Sequence, residues 1–265
     1  MQYVVEVEGL WARYVDVDVL RGVNLRVAPR QIHAILGGSG CGKSTLLKHI
    51  IGLLEPTQGS VRLLGVDRVQ AEEAEWTRVL SRVGMLFQGG ALLNALTIHE
   101  NVALPILEFA PTLPRRVVDE MVMMKLSLVG LSHAARLTPP SLSGGMKKRA
   151  ALARAMALDP LVLFCDEPSA GLDPVTAAQL DDLILSLRDR FDMAVVIVTH
   201  ELPSIVAIAD HATMLSGGQV LVSGALGDVR RHDHPEVRAF FDRSPSAATA
   251  RPASLLATLH EGGTP

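Results

Sequence analysis

Three short segments of this 265-residue chain combine residue types suited to gripping and attacking a phosphate anhydride. The first, Gly37-Gly38-Ser39-Gly40-Cys41-Gly42-Lys43-Ser44, is a full GxxxxGK(S/T) loop. Its glycines let backbone N–H groups converge on phosphate oxygens, helped by the positive end of the following helix dipole. Gly37, Gly38, Ser39, Gly40, Cys41 and Gly42 are therefore candidate nucleotide-binding positions. Lys43 is placed to reach the β- and γ-phosphates, and Ser44 to ligate Mg²⁺. Thr45 follows where its hydroxyl or N–H meets the α-phosphate. Cys41 sits where a helix N-terminus can lower a thiol pKa, although a small loop residue is the plainer reading. The second segment, Val162-Leu163-Phe164-Cys165-Asp166-Glu167, is an apolar strand ending in two carboxylates. Beside a phosphate loop, Asp166 is the residue to hold Mg²⁺, and Glu167 the general base that polarises an attacking water. The third, Leu142-Ser143-Gly144-Gly145-Met146, precedes the basic run Lys147-Lys148-Arg149. Its serine and glycines open the start of a helix from about Gly145 to Ala157 and present free N–H groups to an anion.

These segments need a scaffold, and the pattern around them supplies one. Val4 to Val7 and Val23 to Val27 alternate like strands, whereas Ile32 to Leu36 is a short apolar strand feeding the glycine loop. A helix is expected from Ser44 to Leu54, ended by Glu55-Pro56. Strand, loop and helix in that order are the context a phosphate loop requires. Gly59 to Gly65 reads as an edge strand and Val83 to Gln88 as a buried one. From about Leu92 to Leu158 the pattern turns helical, with prolines as punctuation. Strands resume at Leu161 to Cys165 and Met193 to Thr199, and a hairpin through Gly217-Gly218 closes the series. The fold class is therefore α/β, with helices inserted into a sheet core. Met121, Met123 and Met124 read as core packing within the helical stretch. His33, His49 and His99 have no partner pattern, and His232-Asp233-His234 reads as a solvated stretch. From Ser244 the sequence is rich in Ala, Ser, Pro and Thr, which fits a loosely held extension.

Composition narrows the function. Hydrophobic residues make up 48% and aromatics only 4%, so the core must be mostly aliphatic, as in a sheet covered on both faces. A net charge of −3 argues against broad binding to nucleic acid. Cys41 and Cys165, one in the glycine loop and one beside Asp166, suit a reducing compartment rather than a disulfide. The N-terminus lacks a signal-peptide pattern, and the apolar runs are strand-sized, far short of the roughly 20 residues of a membrane span. A membrane role must go through a partner.

A glycine loop, an LSGG helix start and an Asp-Glu pair in this order resemble the ATP-binding cassette (ABC) ATPases, over residues 3–235. The resemblance implies a P-loop NTPase fold with an N-terminal antiparallel β subdomain, a helical subdomain at about 92–158 and a C-terminal extension at 236–265. ATP and Mg²⁺ are the implied ligands. Tyr14 matches the aromatic that stacks on adenine, with Trp11 as the nearby rival. Gln88 matches the Q-loop glutamine, which touches Mg²⁺ and the attacking water. His200 matches the switch histidine that contacts the γ-phosphate, and Ser169 to Asp173 matches the D-loop at the dimer interface, making Asp173 a further nucleotide-site candidate. Ser143, Gly144 and Gly145 would face the γ-phosphate held by a second copy of the chain. Met146 replaces the commoner glutamine of that motif.

Phe87 to Leu92, Leu96 to Pro105, Met146, Asp166 to Pro174 and Thr199 to Ile205 resemble more narrowly the ATPase subunits of Mla-type phospholipid transporters. That branch implies a polytopic permease, an MCE-domain lipid carrier, in some systems a small STAS-domain subunit, and a place on the cytoplasmic face of a bacterial inner membrane. The alternative within transport is an importer of polar solutes such as amino acids. A non-transport ABC protein of DNA repair or translation fits less well, because the chain has one cassette, no long heptad run and no basic surplus.

Overall fold

The computed structural model describes residues 2–15 and 17–242. The chain runs β1 (Val5–Tyr14), β2 (Val17–Val27), β3 (Ile32–Gly37), α1 (Lys43–Ile50), β4 (Gln58–Leu63), β5 (Val66–Asp67), α2 (Glu73–Leu80) and β6 (Val83–Leu86). Then come α3 (Ile98–Phe109), α4 (Arg115–Leu128), α5 (Gly144–Ala155), β7 (Val162–Asp166), α6 (Pro174–Phe191), β8 (Ala194–Val198) and α7 (Leu202–Ile208). The chain continues with β9 (His211–Ser216), β10 (Gln219–Ala225), α8 (Leu226–Arg230) and α9 (Pro235–Phe241).

Two sheets result. One is antiparallel in the order β2-β1-β4-β5; the other runs β10-β9-β3-β8-β7-β6, parallel except for β10. The alternation of strand side chains decides which layer each face meets. Val162, Phe164, Val196 and Val198 pack toward the antiparallel sheet, α1 and α2. Leu163, Cys165, Val195 and Ile197 pack toward α3 to α6. A parallel sheet covered on both faces explains why its strands read as continuous apolar runs.

The candidate site lies where β3, β8 and β7 finish side by side. Ile35 pairs with Val198, and Val198 with Asp166, so the residues just beyond these positions emerge at one sheet edge. Ligands of open α/β sheets bind at such carboxyl ends. The glycine loop can turn away from β3 only because Gly37 (φ +141°) has no Cβ, which would stand 2.3 Å from the Leu215 carbonyl oxygen. Gly42 (φ +107°) likewise lets Leu20 of β2 press on the loop.

Several expectations need correction. Helix α1 stops at Ile50, earlier than Leu54, because the chain turns through Gly52 (φ +75°) against the Trp76 ring. The strand expected at an edge, β4, lies inside its sheet between β1 and the two-residue β5. Met123 and Met124 are exposed, because α4 turns Val118, Val122, Lys125 and Leu126 inward instead. Residues 235–241 form α9, and its Val237 is fully buried in a small core with Ile205, Met214 and Val229. The tail expected from Ser244 lies outside the described residues. Among those described, no helix is long and apolar enough to cross a membrane.

Candidate nucleotide-binding and hydrolysis site

Helix α1 starts at Lys43 directly after the left-handed Gly42, with no side-chain cap. Its first N–H groups are thus left for an anion, which is the arrangement that fits phosphate. The Lys43 ammonium folds back over the loop, donating to the Gly37 carbonyl at 2.8 Å and the Gly38 carbonyl at 2.9 Å. Gly38, Ser39, Gly40 and Ser44 are exposed, Thr45 is half-buried, and Cys41 is buried. The Cys41 sulfur lies 3.9 Å from the Lys43 nitrogen.

Asp166 ends β7 half-buried, and Glu167 follows with φ +48°, a left-handed conformation that costs a non-glycine residue energy and recurs at functional sites. The Glu167 side chain is tethered at both oxygens. The Thr199 hydroxyl donates to Oε2 at 3.2 Å, and His200 Nδ1 pairs with Oε1 at 2.8 Å. His200 itself is largely exposed, with Nδ1 on the Glu167 carboxylate and Nε2 3.7 Å from the Glu201 carboxylate.

Burial, and then the neighbouring Glu167 charge, push the Asp166 carboxyl above the usual range, against the opposing pull of Lys43, Lys148 and Lys48. A carboxylate kept uncomfortable in this way is suited to a divalent cation, and Ser44 and Asp166 are the oxygen donors such an ion prefers. A group with a raised folded-state pKa favours the fold below the ordinary Asp value of about 3.9 and loses that contribution as pH rises through its folded pKa. At neutral pH the ionised Asp166 therefore works against the fold. Asp166→Asn is expected to melt at or above the wild-type temperature without nucleotide, with the difference growing as pH rises from acid to neutral. The same variant should lose the extra stabilisation that Mg²⁺ adds to ATP. Thermal melts across pH check this, and a variant less stable than wild type at pH 7 would refute it.

The LSGGM segment starts α5 as expected, at Gly144. Ser143 caps it by accepting the Met146 N–H at 3.3 Å, and Ser143 and Gly144 are exposed. Gly145 packs on Thr176, which Asp173 holds. The Asp173 carboxylate caps α6, accepting from the N–H groups of Val175 and Thr176 and the Thr176 hydroxyl. It is exposed but already has these donors. Tyr14, at the end of β1, is 44% exposed, whereas Trp11 is half-buried with its indole over Gly22. Gln88 is exposed just past β6.

Three residues were missed by the sequence reading. Thr199 orients Glu167. Arg154 of α5 donates to the carbonyls of Gly90 (2.8 Å) and Ala91 (2.7 Å), pinning the loop after Gln88. Lys148 of α5 is only 7% exposed and donates to the carbonyls of both Gln88 and Glu167. The available signal was a lysine at helical spacing with the apolar positions Ala151 and Leu152, a cation on an inward face. Beyond the Gln88 loop, Asn101 is fully buried and bonds Leu93, Leu96 and Thr97, and Thr97 and Glu100 form a reciprocal cap on α3.

Comparison with other proteins shows the family and the fold. The sequence profile of the ABC transporter family matches residues 20–170. The chain is 41% identical, over 84% of each sequence, to the intermembrane phospholipid transport system ATP-binding protein MlaF of Haemophilus influenzae. It is 36% identical, over 91% of this chain and 70% of the other, to a probable ribonucleotide transport ATP-binding protein of Mycobacterium leprae. Among solved structures, a dimeric ATP-binding cassette in a post-hydrolysis state with ADP and Pi superposes with a TM-score of 0.77 at 29% identity, covering 84% of this chain and 98% of that one. The cbiO1 protein of Clostridium perfringens, part of an ABC transporter complex, superposes with a TM-score of 0.80 at 26% identity, covering 88% and 92%.

Proposed function

The chain belongs to the ABC transporter family, as one of its ATPases, and from that premise we propose that two copies enclose ATP and drive a permease that moves phospholipid. The observation that carries the catalytic part is the tether on Glu167. A carboxylate aligned by Thr199 and His200, at the strand end beside the glycine loop, is set to take a proton from water as that water attacks the γ-phosphate. Lys43 leaves the Gly37 and Gly38 carbonyls for phosphate oxygens, and the first N–H groups of α1 hold the anion. Ser44, Asp166 and Gln88 would hold Mg²⁺, which when bound neutralises phosphate charge. His200 contacts the γ-phosphate, and Tyr14 stacks on adenine. Ser143, Gly144 and Gly145 meet the nucleotide held by the other copy, with Asp173 shaping the interface.

Coupling to the membrane runs through the far side of the Gln88 loop. Phe87, Ala91, Pro105, Phe109 and Arg154 line a groove of about 370 Å³, with Phe87 and Phe109 exposed. An apolar groove next to Gln88 is a fitting seat for a permease's cytoplasmic helix. The permease places this chain on the cytoplasmic face of a bacterial inner membrane, with an MCE-domain carrier and a STAS-domain subunit as further partners.

Phospholipid is favoured as cargo because the MlaF relative matches at higher identity and over an equal share of both chains. The mycobacterial relative's printed name points to a polar solute instead, which keeps solute import as the alternative. Reconstitution of the whole complex in vesicles, with labelled phospholipid, amino acids and ribonucleotides offered in parallel, separates them. ATP-dependent lipid movement is expected. Movement of a soluble solute without lipid transfer would overturn the cargo and leave the ATPase reading intact.

A further inference from the structure

We propose that Lys148 is a positioning residue that makes the base Glu167 and the Gln88 loop follow the signature helix; this rests on the reading of Glu167 and α5 above. Two positions of interest on helix α5 lie little more than a turn apart. Its start, Ser143 and Gly144, is exposed and available to the partner copy. Lys148 lies about 7.5 Å further along the helix, at roughly 1.5 Å per residue, and points inward.

There its ammonium makes two long-range bonds, to the Glu167 carbonyl at 3.0 Å and to the Gln88 carbonyl. The main chains of the base and of Gln88 thus share one donor. Glu167 is in a left-handed conformation that needs such support, because its own backbone preference opposes it. Arg154, two turns along the same helix, holds Gly90 and Ala91 and makes the attachment of the Gln88 loop to α5 double.

A helix moves as a unit. When the start of α5 engages the phosphate bound to the partner, Lys148 carries the displacement to Glu167 of its own subunit, which acts on the other nucleotide. The two composite sites are joined through one side chain. Packing alone does not account for a lysine here, since Met fills the same space without burying a charge, and only a donor can serve both carbonyls.

The test is Lys148→Met in the assembled complex, with ATP turnover and ATP affinity measured separately. The expected result is kcat lowered by about 10- to 100-fold, the scale of a misplaced catalytic group, with affinity within about twofold of wild type. Lys148→Arg, which keeps the charge and several donors, should recover most of the turnover. If the Met variant does not fold, Lys148→Ala, which also lacks a donor, carries the same expectation of a kcat loss at unchanged affinity. Unchanged kcat in a folded variant, or affinity falling in step with kcat, would overturn the proposal. Glu167→Gln measured alongside separates the two readings. If it alone is inactive, the base stands and the role of Lys148 falls; if it stays active, the base itself falls.

Discussion

Glu167→Gln is expected to bind ATP as the wild type does and to turn it over about 10²–10⁴-fold more slowly, the usual cost of losing a general base. The substitution is nearly isosteric, so it isolates the chemistry. The amide oxygen can still accept from the Thr199 hydroxyl, and the imidazole of His200 can present an unprotonated Nδ1 to the amide N–H₂. What the amide cannot do is take a proton. The glycine loop, Lys43 and Asp166 are untouched, so binding should persist, and the stalled complex should accumulate with ATP in place. Hydrolysis by the assembled transporter is the measurement. Turnover near the wild-type level would remove Glu167 from the mechanism.

Two inactive variants, Lys43→Ala and Ser143→Arg, are expected to regain activity when mixed. If each site joins one copy's glycine loop to the other's LSGGM segment, a heterodimer collects both lesions in one site and leaves its second site whole. Random pairing of equal amounts makes about half of all dimers mixed, so restored turnover can reach about a quarter of wild type. Coupling between sites, as inferred for Lys148, would hold it below that ceiling without abolishing it. Neither lesion should unfold the chain. Lys43 is half-buried and bonded only within its loop, and losing the Ser143 cap costs α5 about 1 kcal/mol. Co-expression with two tags, purification of the mixed species and an ATPase assay give the answer. A mixed dimer as inactive as its parents would mean that the sites are not shared.

Much of the site was legible before any coordinates, because its central parts are local. A glycine loop takes its shape from residues that tolerate positive φ, and a helix start is made by the few residues around it. The strand ending in Asp166-Glu167 was equally plain, since a run of apolar residues closed by two carboxylates can hardly be solvated along its length. Order along the chain then placed these parts in one α/β fold with inserted helices.

Other features were fixed only by packing. Periodicity gives a helix an inward face but does not say what waits there, so Lys148 looked like part of a basic run until the carbonyls of Gln88 and Glu167 stood opposite it. Thr199 became a partner of Glu167 because β7 and β8 lie side by side. Met123 and Met124 fell outward because Val118, Val122 and Leu126 claimed the core. The resemblance favoured Tyr14 with Trp11 as its rival, and the fold of the first hairpin leaves Tyr14 exposed and Trp11 half-buried against Gly22. Backbone conformation and burial tendency act over a few residues and are written in the chain. The partner of a buried polar group is set by contacts between segments far apart in sequence, and only the assembled tertiary structure brings those segments together.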